Sequence, residues 1–127
     1  MNKSKKRPVF ISLHKVKVPI TAYVSFAHRV TGVLFFLSFP LVLYAFYLSL
    51  ASEAGFNTVV SALDHWFVKL ITLGVFTAFI YHVFAGIKHM INDMGYGEEL
   101  DSAKKMSYVV LFATAVAVIG MAYKLFG

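Results

Sequence analysis

Tyr81–Asp93 reads YHVFAGIKHMIND and closes a long apolar run that carries no charge between Lys69 and Lys88. In α-helical geometry His82, Gly86, His89 and Asp93 stand at i, i+4, i+7 and i+11, which keeps all four on one face. One stripe thus carries an imidazole, a gap without a side chain, a second imidazole and a carboxylate. His82 lies among Phe79, Ile80, Val83 and Phe84, where an ionisable group is costly unless it has a partner or a task. The gap at Gly86 lets something flat or bulky approach the backbone one turn from His82. Two readings fit this stretch equally: a haem ligand on a membrane helix, or a histidine hydrogen-bonded to a neighbouring helix.

The composition around it favours a membrane. The 127 residues are 59% hydrophobic and 17% aromatic, against roughly 45–50% apolar in soluble domains. A water-soluble domain of this size cannot hide that much apolar surface. There is no cysteine, which excludes disulfides, thiolate metal sites and iron–sulfur ligation by this chain. Any metal is held by histidine or carboxylate, or arrives inside a cofactor. The formal net charge is +6, but Lys3, Lys5, Lys6, Arg7, Lys15 and Lys17 crowd the chain ahead of its apolar part. That distribution is a membrane-topology signature, and no nucleic-acid partner is expected.

Outward from the organising stretch, the chain divides simply. Residues 1–19 are basic, hold Pro8 and Pro19 and carry no acid; they read as an irregular or interfacial segment on the cytoplasmic side. The apolar run that follows is too long for the h-region of a signal peptide, and the segment is unlike an Arg- and Ser-rich transit peptide. A bacterial inner membrane is therefore expected. The first span covers about 20–50, uncharged between Arg29 and Glu53 and long enough to cross ~30 Å of hydrocarbon. Pro40 is expected to kink it. Residues 51–64, ASEAGFNTVVSALD, hold acids and no base, so they read as an outside loop. The second span covers about 65–91, and Gly95 and Gly97 break the helix ahead of a cytoplasmic loop. The third, about 106–123, is assigned a packing role. The expected architecture is an all-α, multi-pass membrane protein forming one transmembrane domain over 1–127. It has three transmembrane helices, a cytoplasmic N-terminus and a periplasmic C-terminus.

A second constellation lies on the first span. Ser25, His28, Arg29 and Gly32 stand at i, i+3, i+4 and i+7, again on one helical face. Arg29 is ~13 Å along the helix from Ile20, where an arginine pairs with an anion or lines a polar cavity, or else snorkels back to the headgroups. Spans one and two run in opposite directions, so His89, and His82 ~10 Å beneath it, bracket the level of His28 and Arg29. A haem along span two, with iron at His82, would present its propionates to His28, Arg29 and His89. Ser25, one turn nearer the cytoplasm, would meet a small polar ligand at the membrane edge.

These residues resemble the cytochrome b556 family of succinate dehydrogenase membrane anchors. The family's first motif opens with Arg-Pro and closes with Ser-x-x-His-Arg-x-Thr/Ser; here stand Arg7-Pro8 and Ser25-Phe26-Ala27-His28-Arg29-Val30-Thr31. Its second, His-x-x-x-Gly-x-Arg-His-x-x-x-Asp, corresponds to His82–Asp93. With three spans in the right order, the resemblance covers nearly the whole chain. Lys88 departs from the family's arginine and Asn92 from its usual aromatic or methionine, and Lys88 keeps the charge without planar bidentate bonding.

The resemblance implies a subunit of succinate:quinone oxidoreductase, with no complete active site in this chain alone. It would tether a flavoprotein and an iron–sulfur subunit to the bilayer and help form the ubiquinone site. His82 would be the axial ligand of a haem b iron; Ser25 and Arg29 would line the quinone pocket; His28 and His89 would lie on the propionate side, with Arg29 able to serve both. His14 and His65 stand outside the first and at the far end of the second span, and His89 shares a face with His82. The other axial ligand is therefore expected from a second small anchor subunit, making the haem b shared. The alternatives are a haem-free quinone anchor of fumarate-reductase type and a small non-enzymatic helical membrane protein.

Overall fold

Four helices follow one another in the computed structural model, which describes residues 19–97 and 99–127. They are α1 (Ile20–Ala51), α2 (Glu53–Leu63), α3 (Trp66–Asp93) and α4 (Leu100–Phe126). Three of them, α1, α3 and α4, are long and apolar enough to cross a membrane. Within the expected N-terminal segment only Pro19 is described, standing in extended backbone at the N-cap of α1; Arg7, Pro8 and His14 lie outside the described residues. Pro40 sits inside α1, which is assigned as one uninterrupted helix.

The stretch 51–64, expected as a loop, is mostly helix. Acidic composition indicates a side of the membrane but says nothing against helical backbone. Ser52 supplies the start: it is extended, with φ −163° and ψ 162°, and its Oγ accepts the Gly55 N–H at 2.9 Å. Glu53 in the first turn complements the helix dipole. Gly55 comes so close to α1 that a Cβ there would collide with the Leu48 carbonyl oxygen. The short helix is thereby folded back onto the helix before it.

His65 caps α3, its Nδ1 accepting the Phe67 N–H at 3.2 Å. At the other end Gly95 and Gly97 take φ of +90° and +73°, left-handed values that stop the helix where glycine is present. Helix α4 then begins at Leu100, inside the charged segment and ahead of the Met106 start expected for the third span. Asp101 in its first turn is favoured there by the dipole. Lys69 Nζ, near the start of α3, lies 5.7 Å from the centroid of the Phe126 ring at the end of α4, so these two helices run antiparallel.

Helix α3 is the centre of the fold. Its buried face is Ala78, Tyr81, Ala85 and Lys88, and Tyr81 and Ala85 meet Val24 of α1 and Val110 of α4 in one cluster. Small residues let helices approach closely where no hydrophobic force drives them together. The polar members of the α4 face are satisfied locally: Ser107 and Thr114 donate to the carbonyls of Ala103 and Val110 at 2.9 and 2.8 Å. Large side chains such as Phe36 and Leu37 point outward, the arrangement of a chain whose solvent is lipid or another apolar subunit.

Candidate functional site

Helices α1 and α3 are joined at their antiparallel contact by two adjacent α3 side chains. The Tyr81 hydroxyl donates to the Val24 carbonyl at 2.8 Å, and His82 Nδ1 lies 3.0 Å from the His28 carbonyl oxygen. A carbonyl only accepts, so the proton of a neutral His82 is on Nδ1 and the lone pair is on Nε2. Both bonds reach backbone oxygens one turn apart on α1.

The His28 and His82 rings stack with centroids 4.1 Å apart and planes 4° from parallel. His89 stands next to them, 5.0 Å from His28 and tilted by 52°. Two glycines make the stack possible. A Cβ on Gly32 would sit 2.8 Å from His82 Cε1, and one on Gly86 would sit 3.5 Å from His28 Nε2. The spacing His28-x-x-x-Gly32 on α1 repeats His82-x-x-x-Gly86 on α3, and in antiparallel helices each imidazole falls opposite the other's glycine. The gap at Gly86, read from sequence as room for something flat or bulky, thus faces the His28 ring. The repeated spacing was the available signal for this pairing.

The two glycines differ in tolerance. Gly86→Ala brings only ordinary van der Waals contact and gains up to about 1 kcal/mol of helix propensity, so it is expected to preserve or raise thermal stability. Gly32→Ala must displace a ring held by a stack and a hydrogen bond, a small-to-large strain of about 1–3 kcal/mol. Melting of the detergent-solubilised protein distinguishes them: a lower midpoint for Gly32→Ala and not for Gly86→Ala.

One turn away, Ser25 lies on a cavity of about 600 Å³ between α1, the end of α3 and the start of α4. Lys88, His89, Asn92 and Ala103 are among its other walls. Lys88 is 4% exposed; reading it as a retained charge within the motif did not reveal this burial. Arg29 is exposed and is not among the residues lining the cavity, so this chain alone does not join it to Ser25. His65 is exposed at the opposite end of α3. Among the described residues no group of three or more His, Cys, Asp or Glu side chains is arranged to hold a metal ion. His82 nevertheless fits as a single axial ligand, because its Nδ1 is anchored and its Nε2 is the nitrogen left for a metal.

Comparison with known proteins agrees with the motifs. A family model described as succinate dehydrogenase/fumarate reductase transmembrane subunit matches residues 3–121. A succinate dehydrogenase cytochrome b556 subunit from Coxiella burnetii is 33% identical over 116 residues, covering 90% of this chain and 92% of that protein. The subunit of the same name from Paracoccus denitrificans is 26% identical over 113 residues, with coverage of 89% and 87%. A succinate dehydrogenase cytochrome b560 subunit from Reclinomonas americana is 28% identical over 116 residues, with coverage of 87% and 81%.

Proposed function

This chain belongs to the succinate dehydrogenase/fumarate reductase transmembrane subunit family, and on that premise we propose that it is the haem b-carrying membrane anchor of a succinate:quinone oxidoreductase. It tethers a flavoprotein and an iron–sulfur subunit to a bacterial inner membrane and helps form the site at which ubiquinone is reduced. The observation that carries the reading is the Nδ1 of His82 bonded to the His28 carbonyl at 3.0 Å. That bond fixes the tautomer and the ring direction of an axial ligand.

The basic N-terminal segment supports a cytoplasmic N-terminus and a periplasmic C-terminus, which sets Ser25, Lys88 and His89 towards the cytoplasm. A bound haem b would supply one-electron chemistry beside the quinone route. This chain's residues do the rest. His82 would hold the haem iron, His28 and His89 would lie on the propionate side, and Ser25 would offer its hydroxyl to a quinone oxygen. Arg29 faces outward beside His28, available to an anion or a quinone brought against α1 by a neighbouring subunit. The second axial ligand is assigned to another small anchor, since His28 stacks on His82 and His65 lies at the far end of α3.

Affinity purification of the tagged chain from native membranes tests this directly. Flavoprotein, iron–sulfur protein and a second small anchor are expected to co-purify, and reduction is expected to sharpen the α and β bands of a bis-histidine haem. Quinone reductase activity without those bands would replace the proposal with a haem-free anchor. A chain that purifies alone would reduce it to a helical membrane protein whose histidines only join helices.

A further inference from the structure

Lys88 is buried on α3 at 4% exposure, and no described carboxylate forms an ion pair with it. Its position in the wall of the cavity with Ser25 sets a charged donor on α3 across from a hydroxyl on α1. One turn further along α3, Asn92 borders the same cavity, and its Oδ1 is buried without a hydrogen-bond partner among the described residues. An ammonium and an amide withdrawn from water are both costly unless something polar meets them. The cavity is a wide-open groove of about 600 Å³, a volume within the range of small-molecule sites. Lys88 calls for a hydrogen-bond acceptor and the Asn92 Oδ1 for a donor, the two roles that a quinone oxygen and its reduced hydroxyl form offer.

We infer that Lys88 is a further contact of the quinone ring, its Nζ–H donating to a ring oxygen from the α3 side while Ser25 bonds from the α1 side. The inference rests on the quinone reading of Ser25 above. A lysine suits the position because the oxygen it meets gains negative charge as the ring takes up electrons passed on from succinate by the partner subunits. A desolvated ammonium already bonds the oxygen of the bound neutral ring, an effect read in KM, and stabilises the charge further as it develops. The single charge-assisted bond needs a point donor and no planar fork, so the lysine found here is sufficient.

The test is made on the assembled complex with a short-chain ubiquinone as probe. Lys88→Met keeps the length of the side chain and removes a buried charge that no described carboxylate pairs, which does not disfavour folding. KM for the quinone is expected to rise about tenfold or more, the loss of one charged hydrogen bond. Succinate oxidation by a soluble dye and the haem bands are expected to stay unchanged. Lys88→Arg, which restores a donor, is expected to recover KM to within about threefold of wild type. An unchanged KM in Lys88→Met overturns the inference. If Ser25→Ala raises KM in the same assay, only the assignment of Lys88 has failed; if neither variant moves KM, the quinone reading of the cavity fails with it. A fall in phospholipid retained by Lys88→Met, with KM unmoved, would make the cavity a lipid-headgroup site. Failure of both Lys88→Met and Lys88→Gln to assemble would make Lys88 structural and likewise overturn it.

Discussion

In His82→Ala the reduced α band of the b haem is expected to disappear or to shift to that of a five-coordinate iron. The substitution removes the proposed axial nitrogen. It also removes the bond to the His28 carbonyl and one half of the 4.1 Å ring stack. No other described histidine replaces it, because His28 and His89 lie on the same side and His65 is at the opposite end of α3. If the haem is shared, the two anchors are also expected to separate more readily, seen as loss of the second small subunit on detergent gel filtration. A normal bis-histidine spectrum in His82→Ala would remove this residue from the site, and two axial ligands found within this chain would refute the shared arrangement.

Arg29→Ala carries the second large expected effect. The side chain is exposed among Phe26, Val30 and Val33, a surface that suits lipid or protein but not a lone guanidinium. Among the described residues no carboxylate pairs with it, and on the proposed function its counterpart comes from a neighbouring subunit. If that counterpart is charge developing on the quinone, succinate–quinone reductase activity should fall about 10²–10³-fold, as when one donor to a developing oxyanion is lost. Dye-linked succinate oxidation, whose chemistry lies in the partner subunits, should survive. Arg29→Lys should fall between, retaining charge without the fork. Equal loss of both activities would mean that Arg29 serves assembly instead.

The three membrane-crossing helices were legible because lipid demands long uncharged runs, and Gly95 and Gly97 ended α3 where their conformational freedom is used. The histidine face of α3 and the Ser25–Arg29 face of α1 were legible through helical spacing alone. Three things were not. Helix α2 looked like a loop because charge sign, the signal read at 51–64, reports topology; its helical state depends on the Ser52 cap and on packing against Leu48. The start of α4 was hidden by Asp101, Lys104 and Lys105, which are polar enough to resemble a linker yet compatible with a helix end outside the bilayer. The burial of Lys88 was hidden because periodicity assigns a residue to a face without saying what covers that face. Here the cover is the start of α1 and of α4, brought together by the turn at Gly95–Gly97.

The reciprocal seating of His82 over Gly32 and His28 over Gly86 also removes degrees of freedom. Sliding α3 along α1 by one turn, ~5.4 Å, would carry His82 from Gly32 onto the same-face positions of His28 or Phe36, both of which bear rings. The second imidazole projects from the opposite helix at a different height, so a compensating screw rotation is blocked as well. The helix pair has one register, set by two keys facing opposite ways. On the proposed function, the direction of the Nε2 lone pair is then a property of the helix pair and not of a free rotamer. A redox group held there would keep its distance and tilt through each electron transfer, and tunnelling rates depend steeply on both.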